Sequence, residues 1–223
     1  MKKISIIWFL LIITFSAHVF ATESLYTIEN RDKVMQDYEI HIDYPVFNSL
    51  HNMELQEKVN KKISNHLEDT MREVKRVAEE SSGFPILYYG EEFVVGEDQF
   101  YSVVLTANIS RGKKYNSSVT SINFENEEDG QIFTLKDIVD MNLLNQEVKK
   151  ELASEPDTYY HQSFNSVRED TAFYISDEKL TLVFNKYEVA PGVYGTPEIS
   201  IPLKKVKKDP PADETNVPFP QII

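Results

Sequence analysis

Two stretches of this sequence bring together side chains that could do chemistry. In Glu39-Ile-His-Ile-Asp43 an imidazole and two carboxylates alternate with apolar residues, so Glu39, His41 and Asp43 share one face of an extended strand. Such a set could in principle join a metal site. However, His41, His51, His66 and His161 have no ligand-like spacing, and a solvated polar strand face accounts for the run more simply. The 36 acidic residues offer too many carboxylate pairs for any one to mark a glycosidase. A Gly-x-Ser-x-Gly elbow, a phosphate loop, a dinucleotide fingerprint and a His-Glu-x-x-His element are all missing from the sequence. With no cysteine, thiol nucleophiles and cysteine-ligated zinc are excluded too. The expectation is therefore a non-enzyme with no catalytic residue, no metal and no cofactor.

The second stretch is the loop Tyr187-Glu-Val-Ala-Pro-Gly-Val-Tyr-Gly195. Pro191, Gly192 and Gly195 fix an unusual backbone path. Tyr187 and Tyr194 offer rigid amphipathic contact area at low entropic cost, and Glu188 offers a carboxylate to a basic group. This is the chemistry of binding, and the candidate site is Tyr187, Glu188, Pro191, Gly192, Tyr194 and Gly195. The competing explanation is a plain connection between two strands with its tyrosines packed beneath it. The residues by themselves leave both open.

The elements that must carry these stretches follow from periodicity. Tyr38 to Tyr44 alternates strictly and ends at Pro45, which predicts a half-buried strand. From Met53 to about Glu80, Leu55, Val59, Ile63, Leu67, Met71, Val74 and Ala78 recur at steps of four and three. That is one long amphipathic helix, capped by Asn52 and ending near Ser81-Ser82-Gly83. Glu54 and Lys58, Glu57 and Lys61, and Glu68 and Arg72 are placed to pair along its solvent side. Glu92 to Val95 and Gln99 to Ile109 read as a hairpin turning at Gly96-Glu97-Asp98, with Tyr101, Val103, Leu105, Ala107 and Ile109 inward. Val119 to Glu125 is a further strand. Thr134 and Asp137 form a capping-box-like pair before a second helix from about Asn142 to Ala153. Phe173 to Ser176, Lys179 to Phe184 and Glu198 to Ile201 complete the strands, the first two joined by a tight Asp-Glu turn. The expected fold class is α+β, with a largely antiparallel sheet, one long amphipathic helix and a second, shorter helical region. The polar run Arg111 to Ser118 is the expected internal boundary, dividing residues 22–113 from residues 114–203, with a disordered tail over 204–223.

The first residues bear on compartment. Lys2 and Lys3 precede the apolar run Ile4 to Phe15, and Val19 and Ala21 are small residues at the positions a signal peptidase reads. The run is well short of the ~20 residues that span a bilayer. We expect residues 1–21 to be a cleaved signal peptide, membrane contact only transiently through it, and a secreted or cell-surface product. The chain carries 23 basic and 36 acidic residues, a net charge of −13 that becomes −15 once Lys2 and Lys3 are removed. That sign favours cationic partners and disfavours nucleic acid and anionic lipid, although acidity also serves solubility alone.

The stretch Phe173 to Pro202, with Phe133-Thr-Leu-Lys-Asp137 before it, resembles the C-terminal part of the RsiV-type extracellular domain, a domain of unknown function in many of its occurrences. The strand, long helix and hairpin from Tyr38 to Ile109 resemble the domain that usually accompanies it, mainly in pattern. In the RsiV-type anti-sigma factor the module is the outer part that binds lysozyme and triggers release of a sigma factor. In a peptidoglycan deacetylase it is a non-catalytic companion. Only three residues precede the apolar run and only a tail follows Pro202, so neither signalling nor deacetylation is expected here. The resemblance implies an exported binding protein of the bacterial envelope, with a basic protein such as lysozyme as its partner. The alternatives are a cell-wall glycan-binding or accessory module and, ranking below both, a small hydrolase.

Overall fold

The computed structural model describes residues 24–80 and 83–208. Alternation and helical period generate the first core. Strand β2 (Tyr38–Phe47) turns Tyr38, Ile40, Ile42 and Tyr44 to the face on which helix α1 (Met53–Glu79) lies, and the whole Leu55-to-Ala78 stripe of α1 is buried there. Asn52 begins the helix as expected: its Oδ1 accepts the Leu55 N–H at 3.0 Å, and its amide donates to the Glu128 carbonyl at 2.7 Å. Glu54 and Lys58 pair at 2.7 Å, but Arg72 pairs with Asp69 at 2.9 Å rather than with Glu68.

Because α1 carries the chain back across the sheet, β3 (Ile86–Glu97) enters parallel to β2. Every other neighbouring pair is antiparallel. β1 (Tyr26–Val34) forms one edge beside β2, while β4 (Phe100–Arg111), β5 (Lys114–Glu125) and the short β6 (Ile132–Phe133) follow β3, giving the order β1-β2-β3-β4-β5-β6. Tyr101, Val103, Leu105, Ala107 and Ile109 of β4 pack in the α1 core, as their alternation requires.

A second antiparallel sheet holds β7 (Ala172–Ser176), β8 (Lys179–Val183) and β9 (Glu198–Pro202). Its inner face sets Ala172 and Val183 against Val104 and Val119 of the large sheet. Its outer face sets Phe173, Leu180, Leu182, Ile199 and Ile201 against Leu135 of α2 (Leu135–Ile138) and Leu144, Val148 and Leu152 of α3 (Met141–Ser154). The layers are therefore helix, six-stranded sheet, three-stranded sheet and helix, which is the α+β class read from the sequence. The capping box forms, with the Thr134 N–H donating to Asp137 at 2.7 Å. The Asp177-Glu178 turn places both residues at positive φ (52° and 58°), the twist that two-residue hairpins need.

Several boundaries differ from expectation. β1 is an additional strand, and β3 begins at Ile86 rather than Glu92. The turn expected at Gly96 to Asp98 lies at Asp98-Gln99, where φ is 46° and 70°. The Arg111 to Ser118 segment is the tip of the β4-β5 hairpin, with Arg111 opposite Lys114, so one sheet runs unbroken across residues 113 and 114. Its side chains are polar because most of those on β5 from Lys114 to Ser118 face solvent. Beyond Pro202 the chain stays packed through Val206, which is fully buried, and Lys207 bridges Val139. The expected leader over 1–21 and the tail beyond Lys208 lie outside the described residues. Among the described residues no helix is long and apolar enough to cross a membrane.

Candidate binding surface

The loop that follows β8 is stitched down before it is presented. Phe184 is buried, and the chain then reverses: the Glu188 N–H donates to the Asn185 carbonyl at 3.1 Å, and the Asn185 N–H donates to Glu188 Oε2 at 3.0 Å. Asn185 Oδ1 accepts the Val119 N–H at 2.7 Å, and the Lys186 N–H donates to the Ser117 carbonyl at 3.0 Å. These two bonds fasten the loop to the free edge of β5. Val189 and Ala190 are buried, and the Val189 carbonyl accepts the Tyr160 N–H at 2.8 Å. These bonds and buried residues hold the base of the loop in place.

What the base presents is aromatic and apolar. Tyr187 is 56 % exposed, Tyr194 50 % and Val193 87 %, so the loop tyrosines are not core residues. Pro191 leads into a single 3-10 turn, Gly192–Tyr194, and Gly195 closes it at φ 64°, ψ −122°, a conformation that strains a residue with a Cβ. A Cβ on Gly192 would lie 2.1 Å from the Tyr187 ring. Glycine there lets the ring rest against the backbone. Pro191, Gly192 and Gly195 therefore shape the loop, while Tyr187 and Tyr194 are free to touch a partner. Glu188 is placed differently from its expected role: besides holding the Asn185 N–H, its other oxygen pairs with Arg168 at 3.3 Å.

The fold adds residues that the sequence did not single out. On β5, the Tyr115 hydroxyl and the Ser117 hydroxyl both donate to Asn108 Oδ1 at 2.7 Å. The Lys186 ammonium sits 3.9 Å from the Tyr115 ring centroid and 5.3 Å from that of Tyr187, linking the strand tyrosine to the loop tyrosine. In register, Asp32, His41, Tyr89, Asn108 and Ser117 oppose one another in turn across β1 to β5. One polar and aromatic row therefore crosses the sheet and ends at the loop. His41 stacks on Tyr89 at 5.2 Å and bonds Asp32 at 2.9 Å. The Asp32 hydrogen bond, aided by Glu39 and opposed by desolvation, holds the His41 imidazole above its ordinary pKa. Among the described residues no three histidine or carboxylate groups are placed to hold a metal ion.

Beside Gly195 and Thr196 opens a cavity of about 490 Å³, lined also by Glu91, Glu92, Phe93, Asn108 and Tyr115. Burial, reinforced by Asp43, pushes the Glu92 carboxyl above its usual range. A larger cavity of about 1000 Å³ lies toward the other end of β4 and β5, beside Phe100, Phe133 and Leu203, and takes in none of the loop. The loop, Tyr115, Lys186 and the smaller cavity together form one surface that offers rigid rings, a bound ammonium and the exposed Glu91.

Two comparisons bear on this surface. Residues 124–204 match a family described as a protein of unknown function (DUF3298), a span that runs from the end of β5 through the loop to β9. The chain is also similar to the anti-sigma-V factor RsiV of Bacillus subtilis (strain 168), at 25 % identity over 180 residues. That similarity covers 73 % of this chain and 62 % of the relative.

Proposed function

We propose that this chain, a member of the RsiV-type domain family, is a non-catalytic binding protein that works outside the cytoplasm and docks a lysozyme-type muramidase through its Tyr187–Gly195 loop. The observation that carries this reading is the exposure of Tyr187, Val193 and Tyr194 on a loop whose base is hydrogen-bonded to β5. Preorganised aromatic side chains of this kind lose little entropy on binding and dominate interface energetics. A loop of proline, glycine and tyrosine has the shape to fill a sugar-binding groove. The acidic chain complements a basic enzyme, and the RsiV-type resemblance implies lysozyme as the partner. Calorimetric titration of the exported chain with a basic lysozyme tests the reading. Micromolar or tighter one-to-one binding with loss of muramidase activity supports it, and no binding at low salt removes it.

A second reading rests on a different observation. Tyr89 and Tyr115 are each 45 % exposed on the same face of the large sheet, with Asn108 between them, an arrangement on which a cell-wall glycan could stack and hydrogen-bond. Salt separates the two readings. Association with a cationic protein slows steeply as ionic strength rises, whereas binding of a neutral glycan hardly changes.

A further inference from the structure

Helix α3 ends against the usual electrostatics of a helix. The carbonyl end of a helix favours cations, yet no basic residue stands in the last turn of α3, where Glu151 and the C-cap Glu155 place two carboxylates four residues apart. Asp157 adds a third on the turn that follows. All three residues are exposed, and none takes part in an ion pair among the described residues. Like charges at this spacing, and at this end of a helix, cost stability. A local rule broken in this way, with no compensating contact inside the chain, is characteristic of functional surfaces.

The same end of α3 is fixed beside the candidate loop. The Thr158 and Tyr159 N–H groups both donate to the Glu155 carbonyl, at 3.0 and 3.1 Å, and the Tyr160 N–H donates to the Val189 carbonyl in the loop base at 2.8 Å. Tyr159 packs against the core that α3 shares with the second sheet. Its burial, reinforced by Glu155, Glu151 and the Tyr194 hydroxyl, pushes the Tyr159 phenol above its ordinary pKa. The carboxylates therefore lie in one neighbourhood with the exposed Tyr194, and Tyr160, 41 % exposed, adds a further ring beside them.

We propose that the end of α3 and the 155–160 turn form a second contact segment of the docking surface, where Glu151, Glu155 and Asp157 receive a basic side chain of the partner protein beside Tyr160 and Tyr194. The partner's cation supplies the positive charge that the helix terminus lacks in the chain itself. The inference rests on the reading that the partner is a basic protein, and it locates the charged half of that interface. It also moves the acidic contact away from Glu188, which is engaged by the Asn185 N–H and Arg168. A neutral glycan would leave the three carboxylates uncompensated. The arrangement has a consequence that a solvated acidic surface lacks: neutralising these carboxylates relieves the helix while it weakens the complex.

The test uses the full chain and titrates a basic lysozyme at low salt into wild type, the isosteric variant E151Q/E155Q, and the control E57Q/E79Q. The control makes the same change in net charge on exposed positions of α1, in the helical layer on the far side of the large sheet. E151Q/E155Q should raise the Kd by about fivefold or more with Tm equal to or above that of wild type, and the control should change the Kd by less than about twofold. Equal weakening by the control would reduce the effect to the long-range field, and a clear fall in Tm of E151Q/E155Q would make the carboxylates structural; either result overturns the proposal. If lysozyme binds wild type and E151Q/E155Q alike, the second segment falls and the muramidase reading stands. If wild type binds no lysozyme, the muramidase reading falls, and a titration with hexalysine followed by NMR decides the segment by itself. Saturable shifts concentrated on Glu151, Glu155, Asp157 and Tyr159 uphold it. Shifts spread evenly over the acidic surface, or no saturable shift, overturn it.

Discussion

At the scale of single residues, Tyr194 and Gly192 divide the labour of the loop. Half of Tyr194 faces solvent, so Tyr194→Ala removes contact area without opening a core cavity. Binding to a lysozyme-type muramidase should weaken by roughly 1–3 kcal/mol while Tm hardly moves. Titration calorimetry alongside thermal unfolding checks both halves, and a large drop in Tm would mean the ring is structural. Gly192→Ala places a methyl 2.1 Å from the Tyr187 ring and must push that ring away. It should weaken binding through Tyr187 while leaving the sheets intact, which ring-proton shifts would report. Two histidines make opposite contributions to stability. The Asp32 hydrogen bond raises the His41 pKa, so its contribution is full below about pH 6.5 and is lost as pH rises through the folded pKa. Burial lowers that of His66, so its contribution is full above about pH 6.5 and is lost as pH falls through the folded pKa. In an NMR titration His41 should titrate above His66, and His66→Gln should flatten the loss of stability on acidification that urea unfolding measures. Tyr187, Tyr194 and the shaping role of Pro191, Gly192 and Gly195 were legible because backbone-fixing residues cluster with aromatics in one stretch. Tyr115, Asn108 and Lys186 were not. Their meeting depends on the β4-β5 register and on where the loop crosses the β5 edge, and no local pattern encodes either.

At the scale of elements, α1 was the plainest feature of the sequence, because one stripe at steps of four and three has a single way to be buried. Ile63 is 1 % exposed in the centre of that stripe. Ile63→Asp should cost several kcal/mol by leaving a charge unpaired in the core, measurable as a collapse of the urea midpoint. Asn52→Ala, which removes a cap and the bond to the Glu128 carbonyl, should cost about 1 kcal/mol with the fold retained. β4 and β8 were equally readable from their apolar content. β1 was hidden for a physical reason: it is an edge strand, with seven of its nine residues exposed, and its Glu-Asn-Arg-Asp-Lys run lacks any alternation. The hairpin tip from Arg111 to Ser118 resembled a boundary because solvent, rather than a neighbouring layer, surrounds most of its side chains. The parallel pairing of β2 with β3 follows from the crossover through α1, a matter of topology that strand patterns do not carry.

At the scale of the whole molecule, two sheets packed face to face give the loop its fixed base, and the surplus of 36 acidic over 23 basic residues gives the chain its field. A cationic partner should therefore associate faster at low ionic strength, with its on-rate falling by about tenfold or more between 50 and 500 mM salt while its off-rate changes less. Stopped-flow or surface-based kinetics would resolve the two rates. The measurement that bears most directly on the account compares wild type and Tyr194→Ala for binding to one basic lysozyme-type muramidase at fixed low salt, with thermal unfolding of both proteins run beside it. The account expects saturable binding by wild type, a loss of about tenfold or more in the variant, and nearly equal Tm values. Wild-type binding that survives the substitution unchanged, or no binding at micromolar concentration, would contradict it.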